Sequence, residues 1–309
     1  MLAMPLVSVV TPSFNQAAYL EQTLRSVLEQ NYADIEYIVI DGGSTDGSVE
    51  LIKKYASRLS YWVSEKDSGQ AEAINKGMQR ADGEIVAWLN SDDYYLPGAV
   101  SAAVKAFEQD REALLVYGNM LAVDADGQII NHLTYRPLTL QDLLCFEIIG
   151  QPAVFMRRAA FEQTGGLDPS YHFLLDHHLW IRIAAQGRLL YVPQTWAAAR
   201  YHAAAKNRAS AAEFGDEAFR ILNWARSRPD LAPWLGRRAR AAAHRVNARY
   251  LLDGQRPWSA LWAWTRAFLI HPPVALKRLN ILASALLSLT GLEKIRQVYL
   301  SHRRSRLNR

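Results

Sequence analysis

Four short apolar runs, Leu6–Val10, Tyr37–Ile40, Tyr61–Val63 and Ile85–Leu89, alternate with segments whose apolar residues recur at helical spacing. This alternation limits the fold more than any other feature of the chain. Apolar runs without in-and-out alternation suit strands covered on both faces. Between them, Tyr19, Leu20, Thr23, Leu24, Val27 and Leu28 mark one helix, Val49, Ile52 and Tyr55 mark a second over 48–56, and 71–80 forms a third. Strands alternating with helices predict an α/β domain with a mainly parallel, helix-flanked sheet. Asp124–Gly127, between Leu121–Val123 and Gln128–Ile130, reads as a hairpin turn, so the later sheet becomes mixed. Gly165–Pro169 reads as a loop, Leu175–Ala185 as a helix and Leu189–Val192 as a last strand. Strand signals then stop, and Ala, Arg, Leu and Trp predict a helical region over 209–309 beside a first domain of 1–208.

The two regions differ in charge. Residues 1–199 hold 14 Lys and Arg against 24 Asp and Glu, a net of −10; residues 200–309 hold 21 against 6, a net of +15. An acidic body with a basic tail predicts different partners for each. The single cysteine, Cys145, excludes an intramolecular disulfide framework and a multi-cysteine zinc site, and fits a reducing compartment. Met1–Pro5 carries no basic leader, so no signal peptide is expected. No apolar run reaches the roughly 18 residues of a membrane span; Leu279–Leu292 is short and broken by Asn280, Ser284, Ser288, Thr290 and Gly291.

Ligands of open α/β sheets bind beyond the carboxyl ends of the strands. Here those ends read Thr11-Pro12-Ser13-Phe14-Asn15, Asp41-Gly42-Gly43-Ser44-Thr45-Asp46-Gly47, Ser64-Glu65-Lys66-Asp67-Ser68-Gly69-Gln70 and Asn90-Ser91-Asp92-Asp93. Ser44 or Asp46 is placed to cap the following helix. Neither the GxGxxG of a dinucleotide fold nor a P-loop is present, which disfavours nicotinamide enzymes and P-loop ATPases. Adjacent carboxylates repel, and a divalent cation such as Mg²⁺ or Mn²⁺, shared with substrate phosphates, would offset that. Taken alone, the pair is equally compatible with a solvated turn before Tyr94-Tyr95-Leu96-Pro97; the other three loops favour a site.

With these stretches in view, "VSVVTPSFNQAAYLEQTLRSVLEQNY", "EYIVIDGGSTDGS", "DSGQAEAINKGMQRADGEIVAWLNSDD" and "LLDHHLWIRIA" resemble the family 2 glycosyltransferases of GT-A fold, above all bacterial enzymes of O-antigen and surface-polysaccharide synthesis. The resemblance covers residues 6 to about 205. It implies a nucleobase pocket of Thr11, Pro12 and Asp41, closed by Asp67 and Gly69. It adds Ser13, Asn15, Gly42, Ser44, Gln70 and Lys76 to the nucleotide-sugar site. Asp92-Asp93 matches the DxD-type motif, Asp92 facing the ribose and Asp93 holding Mn²⁺ or Mg²⁺ on the diphosphate. Gln70, Asn75 and Lys76 are equally readable as helix-surface polars. Asp176 matches the general base, while Leu175 and His178 stand where the family has Glu and Asp. Leu175 and Gln151, with Gly165–Asp168, fall on the acceptor side. Trp180 and Ile183 read as core or pocket wall. The stretch Arg200-Tyr201-His202 with Lys206 and Arg208 resembles the loop after the last strand, in which His202 would complete the metal shell and the bases would cover the diphosphate; a plain surface loop is the alternative. His172, His177 and His178 lack the HExxH spacing of a zinc site.

The expected activity is inverting transfer from a nucleotide-diphosphate sugar, with UDP the commonest nucleotide in the family, to a hydroxyl of a glycan or lipid-linked acceptor. The rivals are a metal-dependent nucleotidyltransferase, whose Gly- and Lys/Arg-rich first loop is missing from "TPSFNQAAYL", and a non-catalytic carbohydrate-binding relative, against which Asp41, Asp92, Asp93 and Asp176 stand intact. In the tail, Trp258, Trp262 and Trp264 lie among Arg256, Arg266, Lys277, Arg278, Lys294 and Arg296. That composition suits an anionic membrane surface, with a helical domain packed on the first as the alternative. Nucleic acid is not expected, because the body is acidic and recognition motifs are missing. These readings place the protein in the cytoplasm, peripheral on the inner face of the cell membrane.

Overall fold

A computed structural model describes residues 4–202 and 213–290, which fall into two compact units. The first comprises residues 4–137 and 149–200; the second comprises 138–148 with 201–202 and 213–290.

Nine strands of the first unit form one sheet: β1 (Val7–Ser13), β2 (Ile35–Asp41), β3 (Tyr61–Ser64), β4 (Ile85–Trp88), β5 (Tyr94–Tyr95), β6 (Ala113–Val123), β7 (Ile129–Leu133), β8 (Val154–Arg157) and β9 (Arg188–Arg200). The strand order is 3-2-1-4-8-6-9-5, with β7 paired to β6. The first four strands are parallel, as their apolar runs predict. The antiparallel β8 then joins β4 to β6, and β6 runs parallel to β9. The 124–127 turn closes the β6–β7 hairpin, so the sheet is mixed as expected.

Seven helices belong to the first 200 residues: α1 (Ala17–Leu28), α2 (Ser48–Tyr55), α3 (Gln70–Met78), α4 (Ala99–Gln109), α5 (Leu140–Leu144), α6 (Arg158–Gln163) and α7 (Leu175–Ala184). Leu20, Leu24 and Val27 of α1 pack with Val100, Ala103 and Phe107 of α4 and with Val7, Val9, Tyr37, Val39 and Ala87 of the sheet. Each fully buried aliphatic of this kind contributes about 1.5–3 kcal/mol, which is why the strand ends are held rigidly.

Several elements differ from the sequence expectation or are not read from it. Strand β9 does not stop at Val192 but continues to Arg200. Pro193 reads as a breaker, yet it falls where the β6–β9 register is irregular, between Tyr191 and Thr195, so its missing N–H costs no ladder bond. Helix α4 is Ala-rich, with Val100, Val104 and Phe107 at helical spacing, whereas β5 and β8 are too short to carry a periodic signal; β8 has four residues between a 3-10 turn and α6.

The second unit is helical: α8 (Phe214–Arg226), α9 (Arg237–Asp253), α10 (Pro257–Ile270), α11 (Pro272–Leu276) and α12 (Leu279–Leu289), with α5. Ala248 and Leu252 of α9 meet Ala260, Ala263, Trp264 and Ala267 of α10 and Ile281 and Ala285 of α12. Buried Arg245 donates to the Cys145 carbonyl at 3.2 Å and lies 3.6 Å from Glu147, tying 138–148 to α9. Among the described residues no helix is long and apolar enough to cross a membrane.

Candidate active site

The carboxyl ends of β1, β2, β3 and β4 open on one edge, and the loops that follow are tied to one another. Asp41 ends β2 fully buried. Its Oδ2 accepts from the backbone N–H of Gly43 and Ser44, at 3.1 and 2.9 Å, and from Ser64 Oγ at 2.7 Å; Oδ1 accepts from Ser44 Oγ at 2.6 Å. The carboxylate therefore shapes the Gly42–Ser44 loop. A Cβ on Gly42 would stand 2.8 Å from Asp67 Oδ2, so glycine lets the third loop close on the second. Asp67 Oδ1 in turn accepts from the N–H of Gly69, whose φ of +133° is open to glycine alone.

The first loop joins the second through Asn15, which sits in the left-handed region. Its side-chain oxygen accepts from Thr45 N–H at 2.9 Å, and its own N–H donates to Ser44 Oγ at 2.8 Å. Gly47 is the N-cap of α2, and Asp46 beside it accepts from the N–H of both Ser48 and Ala17. Burial raises the Asp46 pKa, but the Ser48 hydroxyl and these N–H groups outweigh it and hold the group below its ordinary value. Thr11, Pro12 and Ser13 are buried. The Thr11 hydroxyl is committed to the Tyr37 phenol at 2.9 Å, so its side chain faces the core.

The fourth loop carries the paired acids. Asp93 is 6% exposed; its Oδ1 accepts from Arg200 N–H at 2.9 Å, and its carbonyl accepts from Thr23 Oγ1 at 2.6 Å. Asn90 joins this group to two glutamines: Gln70 donates to Asn90 Oδ1 at 2.7 Å, Asn90 Nδ2 donates to Gln151 Oε1 at 3.3 Å, and Gln151 donates to the Trp88 carbonyl at 2.8 Å. Burial, then the neighbouring Asp92 carboxylate, push the Asp93 carboxyl well above the usual range, against the pull of Arg200 and Asn90.

Arg200 corrects the expectation that it belongs to a loop over the diphosphate. It ends β9, 6% exposed, with Nε donating to the Asp92 carbonyl at 3.1 Å and Nη1 to the carbonyls of Asp124 and Ala125 at 3.1 and 2.9 Å. Its guanidinium also lies over Tyr19 at 4.7 Å and Tyr94 at 5.7 Å. Nothing near Asp93 in sequence announces this; only the run of β9 past Pro193 brings Arg200 there. Asn90 was visible inside the quoted loop, but its bridging role depends on Gln151, 61 residues away.

The loop thus places two carboxyl groups close together, Asp92 disfavouring the charged form of Asp93. Among the described residues no group of three or more His, Cys, Asp and Glu is placed to hold a metal. This donor set fits Mg²⁺ or Mn²⁺, which are held by one or two carboxylates and fill the remaining positions from substrate phosphates. His202 is buried and belongs to the second unit. Lys206 and Arg208 lie outside the described residues.

Asp176 reaches the same edge by topology. Strand β9 runs in the sense of β4, because β8 is antiparallel to both β4 and β6 while β9 is parallel to β6. Helix α7 ends three residues before β9, so it runs against the strands and starts at their carboxyl edge. Trp180 stacks on Trp88 with ring centroids 5.3 Å apart. Asp176 lies one turn earlier on the same face, half-buried, its Oδ1 accepting from His177 N–H at 2.7 Å. Leu175 is buried beside it. Trp180 and Ile183 are core, as expected.

Asn75 and Lys76 of α3 both have partners inside the protein. The Asn75 amide exchanges two hydrogen bonds of 2.8 Å with the backbone of Leu167, fixing the Gly165–Asp168 loop. Lys76 pairs with Glu65.

The chain matches the profile of Glycosyl transferase family 2 over residues 8–180. It is 33% identical to TuaG of Bacillus subtilis, a glycosyltransferase named for teichuronic acid biosynthesis, over 60% of this chain and 75% of TuaG. It is 28% identical to the chondroitin synthase of Pasteurella multocida, over 60% of this chain but only 19% of that longer enzyme. In fold it resembles S. aureus TarS 1–349, solved with UDP-GlcNAc (TM-score 0.61, 16% identity, 87% of this chain and 82% of that one). It also resembles the mannosyltransferase PcManGT of Pyrobaculum calidifontis, solved with GDP-Man and Mn²⁺ (TM-score 0.62, 21% identity, 94% and 87%). The fold is therefore the GT-A fold, and the chain belongs to glycosyl transferase family 2.

Proposed function

We propose that the protein is a metal-dependent, inverting glycosyltransferase that moves a sugar from a nucleotide-diphosphate donor to a hydroxyl of a glycan or lipid-linked acceptor in cell-surface polysaccharide synthesis. Residues 1–208 form the catalytic part and 209–309 a basic accessory region; the reaction belongs on the cytoplasmic face of the cell membrane. The observation that carries this reading is the arrival at one sheet edge of the Asp41–Asp67 loops, the Asp92-Asp93 pair and Asp176. The likeness to TuaG supports the polysaccharide context, and the UDP-GlcNAc bound by TarS supports a UDP-linked donor.

The loops closed by Asn15, Ser44, Asp67 and Gly69 form a preorganised cradle for the nucleotide, since their polar groups already hold each other in place. Gln70, Asn90 and Gln151 hold the Asp93 carboxylate at its edge. Asp92 and Asp93 would bind a divalent cation, which would supply charge neutralisation to the departing diphosphate. Asp176 takes the proton from the acceptor hydroxyl as that oxygen bonds to the anomeric carbon. The bond from that carbon to the diphosphate oxygen breaks on the opposite face, so configuration inverts. The first-turn position of Asp176 puts it where the helix dipole attracts negative charge. Gln151 and Leu175 line the acceptor side.

Thermal unfolding with UDP-sugars, in Mn²⁺ or in EDTA, tests the proposal. Stabilisation by a UDP-sugar that needs Mn²⁺, and is lost in Asp93→Ala, is expected. Equal stabilisation in EDTA would remove the metal, and no response to any nucleotide-sugar would remove the activity.

A further inference from the structure

Helix α10 is apolar nearly all round, but among the described residues only one side of it is covered. Ala260, Ala263, Trp264 and Ala267 turn into the helical core against α9 and α12. On the other side Trp258, Trp262 and Leu269 stand 72%, 59% and 70% exposed. Their spacing, i, i+4 and i+11, puts them on one stripe of the helix. In α11 and α12, Leu276, Leu279 and Leu286 are also open, at 46%, 51% and 47%. Large apolar surface left in contact with water marks an interaction site.

The charges carried by this stretch have one sign, although the Glu147 carboxylate of the 138–148 segment reaches Lys277 at 3.4 Å. From Gly254 to Thr290 the sequence has no Asp or Glu, while Arg256, Arg266, Lys277 and Arg278 lie along it. The Arg266 guanidinium sits 5.2 Å over the Trp262 ring, so charge and indole occupy one place. We infer that the outward side of α10, together with the exposed leucines of α11 and α12, docks on an anionic lipid bilayer. Indole rings settle at the boundary between headgroups and acyl chains, and basic side chains beside them meet acidic headgroups. The contact is interfacial, since no described helix is long and apolar enough to span. A second copy of the chain fits less well, because pairing this surface with itself brings cations against cations. The inference stands apart from the proposed chemistry and would hold for a protein with any donor.

Co-sedimentation of the full chain with vesicles tests it. Binding to phosphatidylcholine vesicles containing about a third phosphatidylglycerol, weakening as salt rises, is expected, with little binding to phosphatidylcholine alone. The double substitution Trp258→Ser, Trp262→Ser should weaken binding about tenfold or more, and Arg266→Gln about fivefold. All three side chains are exposed, so the variants should unfold at the wild-type temperature and keep any response to nucleotide-sugars. Equal binding to both lipids, or variants that bind as wild type does, would overturn the inference. So would a dimer in sedimentation velocity that the double variant dissolves, which would assign the surface to a second copy.

Discussion

At the strand ends of the sheet unit, polar side chains are held by polar groups of the protein itself: Asp41 by the Ser44 and Ser64 hydroxyls, Asn90 by Gln70 and Gln151, Asp93 by the Arg200 backbone N–H. On the outer side of α10 the reverse holds, for Trp258, Trp262 and Leu269 are largely exposed to water. The first arrangement is what a small charged ligand needs, because reorganising charged groups at the moment of binding or reaction is costly. The second suits a partner that supplies an extended apolar phase and asks for no fixed geometry. One region is finished before its ligand arrives; the other is completed by its partner.

The sharpest way to break this contrast is to remove the one acid of the edge assigned to proton transfer. Asp176→Asn keeps the size of the side chain and its contact with His177 N–H. Transfer to the acceptor should fall by about 10²–10⁴-fold, the usual contribution of a general base. The metal-dependent response to donor should stay as it was. An unchanged turnover number would take Asp176 out of the chemistry and leave the edge a binding surface only.

How much of this was legible in the sequence follows from the range of the interactions. The four parallel strands, the 124–127 hairpin and the helical second region are written in local periodicity and turn residues, so they can be read directly. The four polar strand ends could be picked out for the same reason, since a parallel sheet with helices on both faces leaves little other room for a ligand. What escaped depends on distant pairings. Arg200 looked like a loop cation because Pro193 hides the strand that delivers it to Asp93, 107 residues away in sequence. Asn75 looked like a surface or ligand residue, yet its amide is spent on Leu167, 92 residues on. The bond between the Thr11 hydroxyl and the Tyr37 phenol, 26 residues on, is likewise invisible in the sequence.

Arg200 gives the next largest test, on stability. Arg200→Ala would leave the carbonyls of Asp92, Asp124 and Ala125 without their charged donor and empty the space between Tyr19 and Tyr94. Losing buried, charge-assisted hydrogen bonds of this kind should cost about 2–4 kcal/mol in urea unfolding. Mn²⁺ titration in the presence of UDP should shift to weaker binding, because the Asp92-Asp93 loop loses its anchor. A variant with wild-type stability and weaker donor binding alone would return Arg200 to the role the sequence suggested, a cation reaching over the diphosphate.

The smallest effect lies in the helical unit and concerns acid. His244 of α9 is half-buried, its ring edge-on to Phe219 at 4.9 Å. Burial first, then the cations Arg266 and Arg240, hold its imidazole below the ordinary value of 6.5. Below that value the unfolded chain takes up a proton that the folded chain refuses, so stability rises with pH across this window. Unfolding should therefore become easier as the pH falls from about 6.5 towards the lowered folded pKa, and then level off. His244→Gln should flatten this part of the profile. Arg266 ties the effect to the contrast between the regions, since the same guanidinium lies over Trp262 on the surface assigned to lipid. Acidic headgroups would offset its repulsion of the imidazolium, so anionic vesicles should reduce the acid sensitivity of the wild type and leave His244→Gln unaffected. If the profile is the same with and without vesicles, Arg266 does not meet lipid, and the open side of α10 needs another occupant.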